Sequence, residues 1–278
     1  MLKVEEKMNP LFDGKVNLHT HTYRCRHGAG NIADYMVWAE KEKFAVLGFS
    51  EHVPLPNGLL CKSRMRGELL GELWAELDEA QQKFPEISVL RALEGEYIPE
   101  LMNYQKELKE IHKLDYMIAS NHYMWLDGKN VQFPSVSDPA ALKIIAEQSI
   151  KLMESRLGIF FAHPDLFFAY GCPWTPESKA ASKDIIEAAK ALKVPLEINA
   201  YGIRKQPVTA SDGLIRQRYP IRQFWELVAE TGGIEVVCSS DAHTPSALWR
   251  AVPEIEGWAR ELGLPVINER LAAEILGK

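Results

Sequence analysis

One rhythm runs through the 278-residue chain: a short apolar run, a cluster of polar residues, then a stretch of helical composition. The apolar runs fall at 15–18, 45–49, 88–93, 116–119, 158–162, 195–198 and 233–238. Runs this short and this continuously apolar suit strands covered on both faces, as in a parallel sheet. Between them, Asp138-Pro139, Thr175-Pro176 and Thr244-Pro245 read as helix caps followed by proline at the first helical position. Asn31 reads as the cap of a helix reaching about Lys43, and composition favours helix over about 66–83 and 104–112. Strands alternating with helices imply parallel crossover units, and seven of them predict a barrel rather than the alternative, an open doubly wound sheet. No Pro/Gly/Ser linker divides the chain, so residues 1–278 are expected to form one domain. The segment 58–83 is long for a crossover and is a candidate flap.

Composition narrows the function classes. A net charge of -6 gives no electrostatic footprint for nucleic acid. The cysteines, Cys25, Cys61, Cys172 and Cys238, form no C-x-x-C and are too few for a disulfide framework or a thiolate zinc knuckle. The first seven residues, Met1 to Lys7, carry no apolar leader-like segment, and nowhere do eighteen apolar residues run together. A reduced, cytoplasmic protein without membrane partners is therefore expected. No sequence feature marks an oligomer interface. Walker A and G-x-G-x-x-G loops are both missing, so nucleotide cofactors are not suggested.

The polar clusters carry the chemistry. Seven of the eight histidines lie at or just past a predicted strand end, together with several acids. In order these are His19-Thr-His21 with His27, Glu51-His52, Glu94-Gly-Glu96, Asn121-His122, His163-Pro-Asp165, Glu197-Ile-Asn199 and Asp241-Ala-His243. In a parallel barrel all strand C-termini point to one face, so these positions should converge. Packed imidazoles and carboxylates are costly to desolvate without a shared partner, and a metal cluster is such a partner. His19-x-His21 and Asp241-x-His243 both use i, i+2 spacing, which puts two side chains on one face of a strand. Mixed nitrogen and oxygen donors suit Zn, Mn or Fe better than Mg or Ca. Only His112, inside a predicted helix, sits outside the pattern and reads as structural.

In this order, His19-Thr-His21, Phe49-Ser-Glu-His52, Leu93-Glu-Gly-Glu-Tyr97, Ser120-Asn-His-Tyr123, Ala162-His-Pro-Asp-Leu166, Glu197-Ile-Asn199 and Ser240-Asp-Ala-His243 resemble the polymerase and histidinol phosphatase (PHP) superfamily. Two further stretches, 197–205 with Arg218-Tyr-Pro220, and 48–55, look most like its histidinol-phosphate phosphatase branch. The resemblance implies a distorted (β/α)7 TIM-like barrel and two to three divalent ions. By matched motifs the first ion would take His19, His21, Glu94 and Asp241. Glu94, His122 and His163 would hold the second, and His27, His52 and His243 the third. The implied reaction is hydrolysis of L-histidinol phosphate, a step of histidine biosynthesis, by metal-bound hydroxide. Glu94, Asp165 and Arg204 are the expected catalytic residues, with Arg204 as a phosphate clamp beside Lys205 and Asn199. Glu51, Asp165, Glu96 and Glu197 could orient ligand histidines.

Some positions depart from that pattern. Phe167-Phe-Ala-Tyr170 stands where basic residues able to reach phosphate are expected, Asn199-Ala-Tyr-Gly202 replaces a small polar pair, and Trp125 could narrow the pocket. The small phosphorylated substrate is therefore less fixed than the cluster. Two other readings compete: a PHP phosphoesterase acting on nucleotides or nucleic-acid ends, and a metal-binding regulatory protein without catalysis. The first needs a basic, aromatic groove, and the second predicts broken ligand motifs.

Overall fold

The computed structural model describes residues 11–278; the first residues, read above as lacking a leader-like segment, lie outside them. The strands are β1 (Lys15–Asn17), β2 (Phe44–His52), β3 (Ser88–Glu96), β4 (Tyr116–Ser120), β5 (Met124–Leu126), β6 (Lys129–Val131), β7 (Leu196–Asn199), β8 (Val208–Thr209), β9 (Ile215–Arg216) and β10 (Val236–Ser239). The helices are α1 (Ile32–Lys41), α2 (Leu70–Lys83), α3 (Met102–Ile111), α4 (Pro139–Glu154), α5 (Pro176–Leu192), α6 (Arg222–Thr231), α7 (Val252–Glu261) and α8 (Asn268–Leu276).

Strands β1-β2-β3-β4 pair in parallel in that order, and β10 pairs in parallel with β7. Single parallel bridges close the ring: Phe161 joins Ala119 to Leu196, and Thr20 joins Ala242. Seven apolar runs thus occupy seven parallel positions, and the barrel is distorted at the fifth, 158–162, which forms no regular strand. It joins its neighbours by isolated bridges at Phe161 and a few backbone bonds, such as Ile159 N to the Met117 carbonyl and Ala162 N to the Ala119 carbonyl, both 2.8 Å. The two short pairs β5–β6 and β8–β9 are antiparallel hairpins outside the ring.

Period-two alternation divides each strand. Along β2 the outward Leu47 and Phe49 join the main core, while Val46 joins a smaller cluster inside the barrel. Leu90 and Ala92 of β3, and Tyr116 and Ile118 of β4, join Val46 there. The next inward positions are polar: Ser50 and His52, Glu94 and Glu96, then Ser120. The interior is therefore apolar at its base and ionic at its mouth. Ile267 and Ala272 complete the apolar base, where α8 packs against β1 and β10.

Two glycines are required by close approach. A Cβ on Gly48 would lie 1.8 Å from Oη of Tyr116, which crosses the barrel to donate to the Leu18 carbonyl at 2.6 Å. A Cβ on Gly158 would lie 2.2 Å from the Ala119 amide nitrogen. Backbone cannot yield as a flexible side chain can.

Capping follows the sequence in three cases. Asn31 and Thr175 form capping boxes at α1 and α5, and the Asp138 carboxylate accepts from Ala140 N at α4. Thr244-Pro245 starts only the short 3-10 turn Pro245–Ala247, with no side-chain cap bond, and α7 begins later. The stretch 66–83 is a 3-10 turn leading into α2, and 104–112 falls on α3. All four cysteines are free, and no described helix is long and apolar enough to cross a membrane.

Gly158→Ala is expected to lower unfolding free energy by about 3 kcal/mol, since overpacking meets backbone. Thr175→Ala should cost about 1 kcal/mol through its cap. Urea titration of both variants distinguishes them; equal costs would mean that the fifth barrel position tolerates movement.

Candidate metal centre

The geometry of the mouth is organised by Glu94, at the end of β3 and 1% exposed. Five imidazoles crowd its two oxygens. On Oε1 are Nε2 of His163 at 3.1 Å, His19 at 3.5 Å and His122 at 3.5 Å. On Oε2 are His52 Nδ1 at 2.7 Å and His21 Nε2 at 3.4 Å. Asp241 adds its Oδ1 at 3.2 Å from His21 Nε2 and 3.7 Å from His19 Nε2. The two Nε2 atoms of His19 and His21 are 3.0 Å apart. Four donors around a tetrahedral ion with bonds of about 2.1 Å stand about 3.4 Å from one another. The spacings among His19, His21, Glu94 and Asp241 bracket that value.

Hydrogen bonds fix how the imidazoles face. His19 Nδ1 is 2.7 Å from Glu197 Oε1, and His122 Nδ1 is 2.7 Å from Glu96 Oε2. His27 Nδ1 meets the Cys25 carbonyl at 2.7 Å, and His243 Nδ1 the Asp241 carbonyl at 3.0 Å. An oxygen on Nδ1 fixes the proton there and turns the Nε2 lone pair inward, as ligand histidines require. Glu96 and Glu197, read as possible orienting acids, occupy those positions. Meanwhile His21 Nδ1, His52 Nδ1, His163 Nδ1, Glu94 Oε2 and Asp241 Oδ1 are buried without a hydrogen bond. His52 Nδ1 and Glu94 Oε2 are close but not aligned to share a proton. Buried polar atoms without partners are expensive, so the donor set fits divalent cations held between them.

Electrostatics point the same way. Burial alone would raise the Glu94 carboxyl, but His122, His52 and His19 hold it well below the usual range. Burial would likewise raise Asp241, and His19, His243 and His21 outweigh it. Burial pushes His52 well down and His243 down to about 3, leaving neutral imidazoles with free lone pairs. Against its own burial, His19 is raised by Glu197, Asp241 and Glu94. The centre therefore keeps two ionised carboxylates.

The backbone is bent where ligands leave the strands. His163 has φ 31° and Asp241 φ 46°, both in the left-handed region that side chains normally avoid. The rings of the third expected ligand group, His27, His52 and His243, lie together, with His27 4.6 Å from His243 and 5.4 Å from His52 between centroids. His52 and His243 converge with His21, whereas the exposed His27 converges with His243 and the Cys25 thiol. Nε2 of His27 is 2.9 Å from Nε2 of His243. Cys25 had no sequence signal as a donor, and burial pushes its thiol up to about 12.

Other expected residues are engaged elsewhere. The Arg204 guanidinium donates to the carbonyls of Ser240 at 2.7 Å, Asp241 at 3.1 Å and Arg250 at 3.1 Å, and is not on the cavity wall. It braces the last strand's loop, where the sequence suggested a phosphate clamp. Asn199 is buried beneath the centre and donates to Glu197 at 2.9 Å and Asp241 at 3.1 Å, out of reach of substrate. Asp165 Oδ2 accepts from Ile221 N at 2.6 Å and Trp225 Nε1 at 3.2 Å, which fastens α6 and orients no histidine. Glu51 accepts from Thr22 N at 2.7 Å and its hydroxyl at 2.5 Å. Trp125 donates to Glu100 at 2.9 Å and does not line the cavity. His112 accepts from Trp74 at 3.2 Å, away from the site.

Of the expected substrate contacts only Lys205 lies on the wall of the cavity, about 650 Å³ in volume, that opens over the histidines. The sequence reading missed Lys62, Arg64, Arg218 and a set of tyrosines, Tyr123, Tyr170, Tyr201 and Tyr219, on the same wall. Lys62 and Arg64 come from the segment singled out as a flap.

Arg204→Met is expected to destabilise the fold by about 2 kcal/mol through three lost charge-assisted bonds to carbonyls. Denaturant midpoints and KM measured together check this; a raised KM without lost stability would return Arg204 to the substrate.

Comparison with known proteins agrees with the geometry. A Deinococcus radiodurans protein named "Probable histidinol-phosphatase" is 29% identical over 244 residues, covering 84% of this chain and 87% of its own. The structure of the Listeria monocytogenes hisK protein superposes with a TM-score of 0.70 at 19% identity, over 86% of this chain and 99% of that one. Lactococcus lactis histidinol phosphate phosphatase, solved with Zn, L-histidinol and phosphate, gives 0.68 at 16%, over 90% and 94%. The profile of the PHP domain matches residues 17–201, more than half of the sequence. The chain belongs to the PHP domain family.

Proposed function

We propose that this chain hydrolyses phosphate monoesters using two or three divalent ions, Zn, Mn or Fe, with L-histidinol phosphate, the substrate suggested by its relatives' names, as the first compound to test. The observation that carries the reading is Glu94, a buried carboxylate with five imidazole nitrogens within 3.5 Å. His19, His21, Glu94 and Asp241 would hold one ion, and Glu94, His122 and His163 a second. His52 and His243, with His27 or His21, would hold a third.

Divalent ions held there would supply Lewis acidity toward phosphoryl oxygens and lower the pKa of a bound water toward neutrality. The chain's own groups do the rest. Glu197 and Glu96 hold His19 and His122 in the tautomer and rotation that turn Nε2 inward. Arg64 donates to Glu96 Oε2 at 2.7 Å, so the same carboxylate is gripped from the cavity side. Water adds across the P–O ester bond, giving the alcohol and inorganic phosphate.

Elemental analysis of the purified protein should find two to three divalent ions, and phosphate should be released from histidinol phosphate or a generic aryl phosphate. Glu197→Gln should weaken metal binding by about 10–100-fold, as expected for a lost carboxylate behind a ligand histidine. His19→Ala should remove an ion and the activity together. Treatment with a chelator is expected to abolish phosphate release and lower Tm, with both restored by Zn or Mn. Protein that binds none of these ions and releases no phosphate after their addition would end this reading.

A further inference from the structure

Beyond the metal-facing residues, the cavity wall carries Lys62, Arg64, Lys205 and Arg218. The carboxylate on that wall is Asp241, whose Oδ1 faces His19 and His21. Arg64 is matched by Glu96 at 2.7 Å. Lys62, Lys205 and Arg218 form no ion pair with any carboxylate among the described residues.

Geometry holds two of them, Arg218 and Lys205, over the site without neutralising them, while Lys62 lines the same cavity from the loop before α2. Arg218 donates Nε to the Gln206 carbonyl at 3.0 Å and Nη1 to the Ala169 carbonyl at 2.7 Å, so dipoles position its charge but do not cancel it. Lys205 Nζ lies 3.9 Å over the Tyr201 ring and 2.5 Å from its hydroxyl. That ring in turn stacks on His243 at 4.4 Å and 10°. A column of imidazole, phenol and ammonium therefore rises from the centre to the cavity wall.

The charge balance at the centre then matters. Two carboxylates, Glu94 and Asp241, face two or three divalent ions, which leaves positive charge enough for one ester phosphate. Three unmatched wall cations exceed that need, and unpaired like charges on one cavity wall repel unless something anionic joins them. L-Histidinol phosphate offers the opposite, a leaving group with an ammonium, and the wall has no free carboxylate to receive it. The stretch after His163 cannot supply compensation, because Leu166, Ala169 and Tyr170 present apolar and aromatic surface there.

We infer that the preferred substrate is a phosphate monoester bearing a second anionic group, a carboxylate or another phosphate, held by Lys62, Lys205 and Arg218. The inference rests on the phosphomonoesterase reading and narrows its substrate class. The ester phosphate occupies the histidine-lined end of the cavity, and the second anion the cationic wall. A volume of about 650 Å³ has room for both.

The test uses the full chain, loaded with Zn or Mn, and two matched pairs of esters differing by one anionic group. These are 3-phosphoglycerate against glycerol 1-phosphate, and fructose 1,6-bisphosphate against fructose 6-phosphate, with L-histidinol phosphate and an aryl phosphate alongside. In at least one pair kcat/KM should favour the more anionic member by about tenfold, the worth of one charge-assisted bond. It should also exceed the value for L-histidinol phosphate. Lys62→Gln and Lys205→Gln, both on exposed side chains, should reduce that preference through KM rather than kcat. Preference for L-histidinol phosphate, or no preference within either pair, would overturn the inference and leave the phosphomonoesterase intact. No release from any ester, the aryl phosphate included, would overturn both.

Discussion

A carboxylate buried among five imidazoles is a large electrostatic commitment. Glu94 pays its desolvation only because His19, His21, His52, His122 and His163 surround it, and these come from four different strand ends. None of these side chains could be held so closely without the seven parallel positions that carry them. Conversely, the barrel's open end would be an uncompensated hole without a group that binds them together. The ring and the cluster are therefore one construction.

Within the ring the labour is divided by height. Val46, Leu90, Ala92, Tyr116 and Ile118 pack the base, and the polar residues begin two positions further along β3 and β4 and, past Gly48, four positions further along β2. Rigid strands set the donor spacing near the centre. The outer cavity is built from loops: Lys62 and Arg64 before α2, Lys205 and Arg218 on either side of the β8–β9 hairpin. Scaffold and loop thus separate a shared chemistry from whatever distinguishes one ester from another.

The ring strands and the first five helices were legible, the strands as short apolar runs and the helices by caps or composition, and the histidines because they recur at strand ends. Side-chain direction past a strand end was not legible. It depends on loop backbone such as the positive φ at His163 and Asp241, and no hydropathy period records it. Arg204 illustrates this: a cation beside the motif for β7 reads as a phosphate ligand, yet the loop turns it onto carbonyls of the last strand's loop. Asp165 was misread for a related reason, since the donors to its carboxylate are the Ile221 amide and the Trp225 indole, more than fifty residues away. Thr244-Pro245 has the letters of a cap, but the helix it would start is displaced to Val252. Lys62 and Arg64 escaped notice because single lysines and arginines in loops carry no pattern until folding gathers them.

The floor of the barrel bears on the order in which the protein can be made. Ile267 and Ala272 seal the interior from beneath, and Asn268 ties this stretch to β10 through the amide and carbonyl of Cys238 at 2.9 and 2.8 Å. All seven ring positions precede that seal in the chain. On the ribosome, the ring residues would emerge while the inner faces of Val16, Val46 and Phe160 still lack a lid, so a growing chain passes through a stage with an open, greasy base. The last helix thus completes the barrel's floor while contributing no residue to the candidate metal centre or to the cavity wall.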